Sequence, residues 1–219
     1  MIKMIIFDLD GVLIKSKDMH FEALNFALQN VDRKYIISPE EHKTKFNGLP
    51  TLKKLEILTE ERGLDSNLYS QINKLKQELT LNFINNQVVE VPEITEAFQK
   101  LSSEGYLLVV ASNAVRKTVE GAIRNLKIGK YLAGYYCNED VTRPKPSAQM
   151  YLRAMVDFNI DPIETVILED SRVGFEAVAR SGANLIRIKE VKDTNYENIK
   201  EHLIGIHAKL YLNHQIVYK

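Results

Sequence analysis

Met4-Ile5-Ile6-Phe7-Asp8-Leu9-Asp10-Gly11-Val12-Leu13 is the stretch on which the reading of this chain turns. Four apolar residues in a row read as a short strand buried on both faces, as in a parallel sheet. Two carboxylates two residues apart then stand where that strand must end. Burying either ionised group without a partner costs on the order of several kcal/mol. One reading is a turn, because Asp and Gly after a strand are ordinary loop punctuation. The other is a metal site, in which a divalent cation neutralises the acids and one oxygen is free to attack phosphorus.

The residues beyond this stretch choose between the two. Phe21, Leu24 and Leu28 lie on one helical face, with Glu22, Asn25 and Gln29 on the other. Phe46-Asn47-Gly48-Leu49-Pro50-Thr51 reads as a loop ahead of a helix with Leu52, Leu55 and Leu58 as its stripe and Gly63 as its stop. Leu68, Ile72, Leu75, Leu79 and Phe83 form a longer stripe, and Asn85-Asn86-Gln87 leads out of it. The chain from Ser16 to Asn86 is therefore expected to be helical, without a strand.

From Val88 onward helices and strands alternate. Pro92 and Glu93 open a helix through Ile94, Phe98 and Leu101, and Leu107-Leu108-Val109-Val110-Ala111 is a buried strand followed at once by Ser112-Asn113. A helix through Val119, Ile123 and Leu126 precedes a short strand, Gly134-Tyr135-Tyr136-Cys137. Arg143-Pro144-Lys145-Pro146 cannot be helix interior. Pro146 suits the first turn of a helix carrying Tyr151, Leu152 and Met155. Thr165-Val166-Ile167-Leu168 is a strand ending in Glu169-Asp170, and the helix after it, through Val173, Ala177 and Val178, stops at Gly182. Leu185-Ile186-Arg187-Ile188 is one more strand. In the tail, Ala208-Lys209-Leu210-Tyr211-Leu212 and Gln215-Ile216-Val217-Tyr218 read as strand-like.

Composition narrows the function classes. The 219 residues carry 29 Lys plus Arg against 29 Asp plus Glu, so a zero net charge offers no electrostatic footprint for nucleic acid or a membrane surface. Hydrophobic content of 45% supports a real core. A single cysteine, Cys137, excludes an internal disulfide and fits a reducing compartment. The apolar N-terminal run is broken by Asp8 and Asp10, too early for a signal peptide or a spanning helix. A soluble, cytoplasmic protein is expected, a monomer or weak homodimer, with neither nucleic acid nor membrane as partner.

Strands alternating with helices imply an α/β fold with a mostly parallel sheet, whose ligands sit beyond the carboxyl ends of the strands. Asp8 and Asp10, Ser112 and Asn113, and Glu169 and Asp170 all follow strands, and Lys145 precedes a helix on the same expected rim. Their chemistry is complementary. Asp8 and Asp170, with a backbone carbonyl near Asp10, suit Mg²⁺, and Glu169 is a further ligand or a partner behind the ligands. Asp8 is the candidate nucleophile, through an aspartyl-phosphate, and Asp10 the candidate acid and base. Ser112 offers a hydroxyl and a backbone amide to phosphoryl oxygens, and Lys145 a fixed positive charge toward nucleophile and transferring group.

The ordered set Phe7-Asp8-Leu9-Asp10-Gly11-Val12-Leu13, Ala111-Ser112-Asn113, Lys145-Pro146 and Leu168-Glu169-Asp170-Ser171 with Gly174 resembles the haloacid dehalogenase superfamily. The resemblance lies in the branch of sugar-phosphate phosphatases and β-phosphoglucomutases. It implies a Rossmann-like core from residues 1–15 and 88–219, an all-helical cap from 16–87, Mg²⁺, a phospho-aspartate, and a small phosphorylated metabolite as substrate. In the cap, His20 stands where the mutase branch has a histidine, and Gly48-Leu49-Pro50-Thr51 resembles the substrate-specificity loop. Ser112, Asn113, His20, Gly48 and Thr51 are thus the implied substrate contacts. The arginine that mutases carry just after that glycine is absent, and Thr51 and Leu52 stand there instead. A Mg²⁺-dependent phosphomonoester hydrolase acting on a sugar phosphate is the leading expectation. A phosphoglucomutase-like isomerase and, from another class, a phospho-accepting signalling module are the alternatives.

Overall fold

Met4–Phe7 is a strand, β1, with every side chain fully buried. It lies at the centre of a five-stranded sheet in the computed structural model, which describes residues 1–46 and 49–217. The other strands are β2 (Leu107–Ala111), β3 (Gly134–Tyr136), β4 (Thr165–Glu169) and β5 (Asn184–Arg187). Their order is β3-β2-β1-β4-β5 and each pairing is parallel. The α/β expectation holds, and the continuous apolar runs have the cause proposed for them, since a central parallel strand is covered on both faces.

Side chains of a strand alternate between faces, so one element feeds two layers. Met4 and Ile6 join Val109, Ile167, Met150 and Tyr151 in one core layer. Phe7 instead stacks against Phe98, with ring centroids 4.4 Å apart. Each such buried aromatic ring contributes roughly 2–3 kcal/mol from area removed from water.

Helices α1 (Lys17–Gln29), α2 (Pro39–Glu41), α3 (Thr51–Arg62), α4 (Tyr69–Gln87) and α5 (Pro92–Ser103) all fall between β1 and β2. The chain divides into two compact units, Ser16–Gln87 and the remainder, which runs through Lys15 and resumes at Val88. The helical unit has its own core of Leu24, Leu28, Tyr35, Phe46, Leu55, Leu58 and Ile72. Asn25, expected on the polar face of α1, holds the Ile37 backbone from both sides: Nδ2 donates to the carbonyl at 2.7 Å, and Oδ1 accepts from the amide at 2.8 Å. Leu52, expected in the α3 stripe, is 55% exposed.

The sheet unit continues with α6 (Arg116–Asn125), α7 (Gln149–Asp157), α8 (Arg172–Ser181) and α9 (Tyr196–Val217). Two expectations are corrected here. Pro146 is not in the first turn of α7: it follows a cis peptide bond in the loop before the helix, which opens at Gln149. The tail forms no strand among the described residues, outside which Tyr218 of the second expected strand lies; it continues one helix, because Ile199 and Leu203, four apart, are both buried and α9 packs on α5 and β5. No helix among the described residues is long and apolar enough to cross a membrane.

Candidate active site

The carboxyl ends of β1, β2 and β4 lie side by side because Phe7 is in register with Val110 on one side and Leu168 on the other. Asp8 extends the ladder by donating its amide to the Leu168 carbonyl at 3.0 Å. The chain then turns sharply, with Gly11 donating to Ile14 O at 2.8 Å. Gly11 sits at φ +84°, and a Cβ there would overlap the Asp170 carboxylate. Only glycine lets the end of β4 bring its acid this close.

Lys145 is the hub. Its ammonium, 5% exposed for the residue, donates to Asp8 Oδ1 at 2.6 Å, Glu169 Oε1 at 2.6 Å and the Ala111 carbonyl at 2.9 Å. All of its donors therefore have acceptors, as a buried ammonium requires. Asn113 fixes its backbone: Oδ1 accepts from Lys145 N at 2.9 Å and Nδ2 donates to Lys145 O at 3.1 Å. The asparagine expected to touch substrate thus has its amide group on the lysine loop.

Ser112 is buried, and its expected role needs correcting in one part. Its backbone amide donates to the Tyr136 carbonyl at 3.0 Å, completing the β2–β3 ladder, so that amide is not open to a phosphoryl group. The hydroxyl accepts from Ala114 N at 3.0 Å and keeps its own proton to donate.

Glu169 is fully buried. Besides Lys145, its Oε1 accepts from the Tyr151 hydroxyl at 2.7 Å, while Oε2 accepts from the Asp170 amide and the Ser171 hydroxyl, both at 3.2 Å. Gly174 on α8 makes room, since a Cβ there would overlap the carboxylate. The sequence places Tyr151 on the helix after Pro146 and assigns it no role at the site. The available signal was its place on an apolar helix face, where a tyrosine hydroxyl needs a partner.

Carboxylate oxygens of Asp8, Glu169 and Asp170 lie within 4.8 Å of one another. Such hard, clustered oxygens fit Mg²⁺. Asp10 is half-buried in the turn after β1, where its bridge to Ile14 fixes the backbone, and its charge acts on Asp8. The structure thus gathers Asp8, Asp10, Ser112, Asn113, Lys145, Glu169 and Asp170 in the sheet unit. His20, on α1, and Thr51, the first residue of α3, belong to the helical unit. Gly48 lies outside the described residues.

The haloacid dehalogenase-like hydrolase family model matches residues 5–188. The chain belongs to that family. This hydrolase is 26% identical to the phosphorylated carbohydrates phosphatase of Thermotoga maritima, over 83% of this chain and 82% of that protein. It is 25% identical to protein CbbY of Rhodobacter capsulatus, over 84% of each. Among solved structures, a CbbY variant from Rhodobacter sphaeroides in complex with xylulose-(1,5)bisphosphate superposes with a TM-score of 0.75. The identity is 22%, covering 85% of this chain and 86% of that one.

The electrostatics of this cluster follow from burial. Burial first, and then the negative charge of Glu169, push the Asp8 carboxyl well above the usual range, against the pull of Lys145. Burial also works against the Glu169 carboxylate, but the charge and hydrogen bond of Lys145 prevail and hold its pKa below the ordinary value. For Lys145, desolvation is outweighed by Asp8, Tyr151 and Glu169, so the ammonium stays charged well past the usual lysine range. A cation held by these acids would act against that rise at Asp8, since it favours the carboxylate.

Proposed function

We propose that this hydrolase is a Mg²⁺-dependent phosphomonoesterase that removes phosphate from a phosphorylated carbohydrate through an aspartyl-phosphate on Asp8. The observation that carries the reading is the Lys145 ammonium, held between Asp8 and Glu169 at 2.6 Å from each, beside an acid cluster at the end of a parallel sheet. Phosphoryl transfer asks for positioning and charge more than for covalent ingenuity, and both are present.

In the first step an Asp8 oxygen bonds to phosphorus as the phosphorus–oxygen bond to the sugar breaks. Asp10 gives its proton to the departing oxygen. Asp10 then takes a proton from water, whose oxygen attacks phosphorus and frees Asp8 together with inorganic phosphate. Lys145 stays charged throughout and offsets the negative charge gathering on the phosphoryl group. The Ser112 hydroxyl is the donor to a phosphoryl oxygen. Asp8 and Asp170, with the main-chain carbonyl of Asp10, would hold Mg²⁺, whose charge would let a dianionic substrate meet an acidic pocket.

Support for a carbohydrate comes from the relatives: one is named for phosphorylated carbohydrates, and another has been crystallised with a sugar bisphosphate. The choice of sugar is assigned to the helical unit, with His20, Gly48 and Thr51 as the candidate contacts on the strength of the sequence resemblance. Hydrolysis is preferred to isomerisation because Thr51 and Leu52 stand where a mutase needs an arginine fork for a second phosphate. A panel of sugar phosphates assayed for phosphate release, beside a coupled glucose 6-phosphate assay on β-glucose 1-phosphate, tests the reading. Phosphate should appear in step with substrate loss. Isomerisation outrunning hydrolysis would overturn it.

A further inference from the structure

Tyr151 takes no part in the chemistry above, yet it is fully buried and its hydroxyl ends on the same carboxylate oxygen as the Lys145 ammonium. Its ring lies 4.8 Å from Lys145 Nζ, close enough for a cation–π contact. Phenylalanine would fill the same space in the α7 face without a buried hydroxyl to satisfy, so packing alone does not call for tyrosine here.

The distribution of donors around Glu169 shows what the hydroxyl does. Oε1 is shared by Lys145 and Tyr151, while Oε2 is taken by the Asp170 amide and the Ser171 hydroxyl. A carboxylate with both oxygens so engaged has little lone-pair capacity left for a cation. It can, however, fix an ammonium firmly. Asp8 and Asp170 then remain as the carboxylates available for a metal from the cluster.

We propose that Tyr151 is a positioning residue: by occupying Glu169 Oε1 together with Lys145, it ties Glu169 to the lysine and away from the metal. It thereby sets where the ammonium stands relative to Asp8. The inference rests on the function proposed above for this site, and its consequences divide cleanly from it. Loss of the hydroxyl frees a lone pair on Glu169 Oε1 and the orientation of the carboxylate, which can then turn toward the cation and carry the Lys145 ammonium off Asp8.

The test is Tyr151→Phe, which keeps the ring and removes only the hydroxyl. With p-nitrophenyl phosphate as substrate, kcat should fall about tenfold with KM nearly unchanged, the size expected when a hydrogen bond to a charged group is lost. Mn²⁺ binding, followed by electron paramagnetic resonance without any turnover, should tighten by about tenfold, the scale of outer-partner effects on metal affinity. In a Glu169→Gln background the same substitution should change kcat no further, because the residue through which it acts is already altered. Wild-type kcat and Mn²⁺ affinity in Tyr151→Phe would overturn the proposal, as would an equal loss of kcat in both backgrounds. Should Tyr151→Phe not fold, a fluorotyrosine at the same position strengthens the donor and must weaken Mn²⁺ binding; unchanged binding then overturns it. A wild-type protein that releases no phosphate defeats the phosphatase reading instead, and leaves the Mn²⁺ measurement to judge Tyr151.

Discussion

Gly174→Ala inverts an ordinary rule. Inside a helix, replacing glycine by alanine stabilises by about 1 kcal/mol, since glycine gives up more backbone freedom on folding. Gly174 lies in α8, three residues after the N-cap Ser171, whose hydroxyl accepts its amide at 3.1 Å. A Cβ at this position would overlap the Glu169 carboxyl carbon and both of its oxygens, far inside the 3.0 Å that real Cβ atoms keep. The obstacle is no flexible tip. Glu169 is fully buried and tied to Lys145 at 2.6 Å and Tyr151 at 2.7 Å. To make room it must release those partners, and breaking a buried ion pair costs about 3–5 kcal/mol. Set against the alanine gain, the net loss is about 2–4 kcal/mol. Urea unfolding should show a lower midpoint at unchanged slope, and phosphate release should collapse with it, since Lys145 loses one of its anchors. An alanine variant as stable and as active as the parent would show that Glu169 is not held where the structure places it.

Two further predictions concern charge. Lys54 on α3 is half-buried, and burial first, then the Lys76 charge, push its pKa down to about 8 from 10.5. A lysine depressed on folding binds its proton better when unfolded, so stability rises with pH between those two values and the full penalty applies at pH 7. Discounted for its partial exposure, Lys54→Met should stabilise by about 1 kcal/mol at pH 7, with the gain fading as the pH approaches that of free lysine. Equal gains in unfolding experiments at neutral and strongly alkaline pH would contradict this. Chelation should abolish phosphate release and added Mg²⁺ restore it, because Asp8 and Asp170 cannot receive a dianion unaided. Full turnover after exhaustive chelation would remove the metal from the account.

The sheet was legible because buried parallel strands leave a period-free apolar signal: Met4–Phe7, Leu107–Ala111 and Thr165–Glu169 each carry it, and each ends in polar residues. The tail was not. Ala208-Lys209-Leu210-Tyr211-Leu212 has a composition that suits strand and helix alike, and the buried pair Ile199 and Leu203 upstream decides for helix. At the site, residue types were legible and their hydrogen-bond assignments were not. The sequence resemblance implies that Asn113 faces substrate, yet its amide group clasps the Lys145 backbone, a contact between residues 32 apart that no local pattern encodes. The Ser112 amide was expected at a phosphoryl oxygen but belongs to the β2–β3 ladder, because the register of β3 shows only in three dimensions. Nothing in the sequence assigns Tyr151 to the site, since only the fold brings Glu169 to its hydroxyl.

The central claim is that Asp8 carries the phosphoryl group, and one substitution tests it. Asp8→Asn keeps the size and most of the hydrogen bonding to Lys145 while removing the attacking oxyanion. The measurement is phosphate release by the folded variant on the best sugar phosphate, beside rapid-quench mass spectrometry of the wild-type peptide containing Asp8. The account predicts a fall in turnover of about four orders of magnitude or more, the scale of losing a catalytic nucleophile. It also predicts a transient phosphoryl group on Asp8 in the wild type. A folded Asp8→Asn protein that still turns over near the wild-type rate would contradict it.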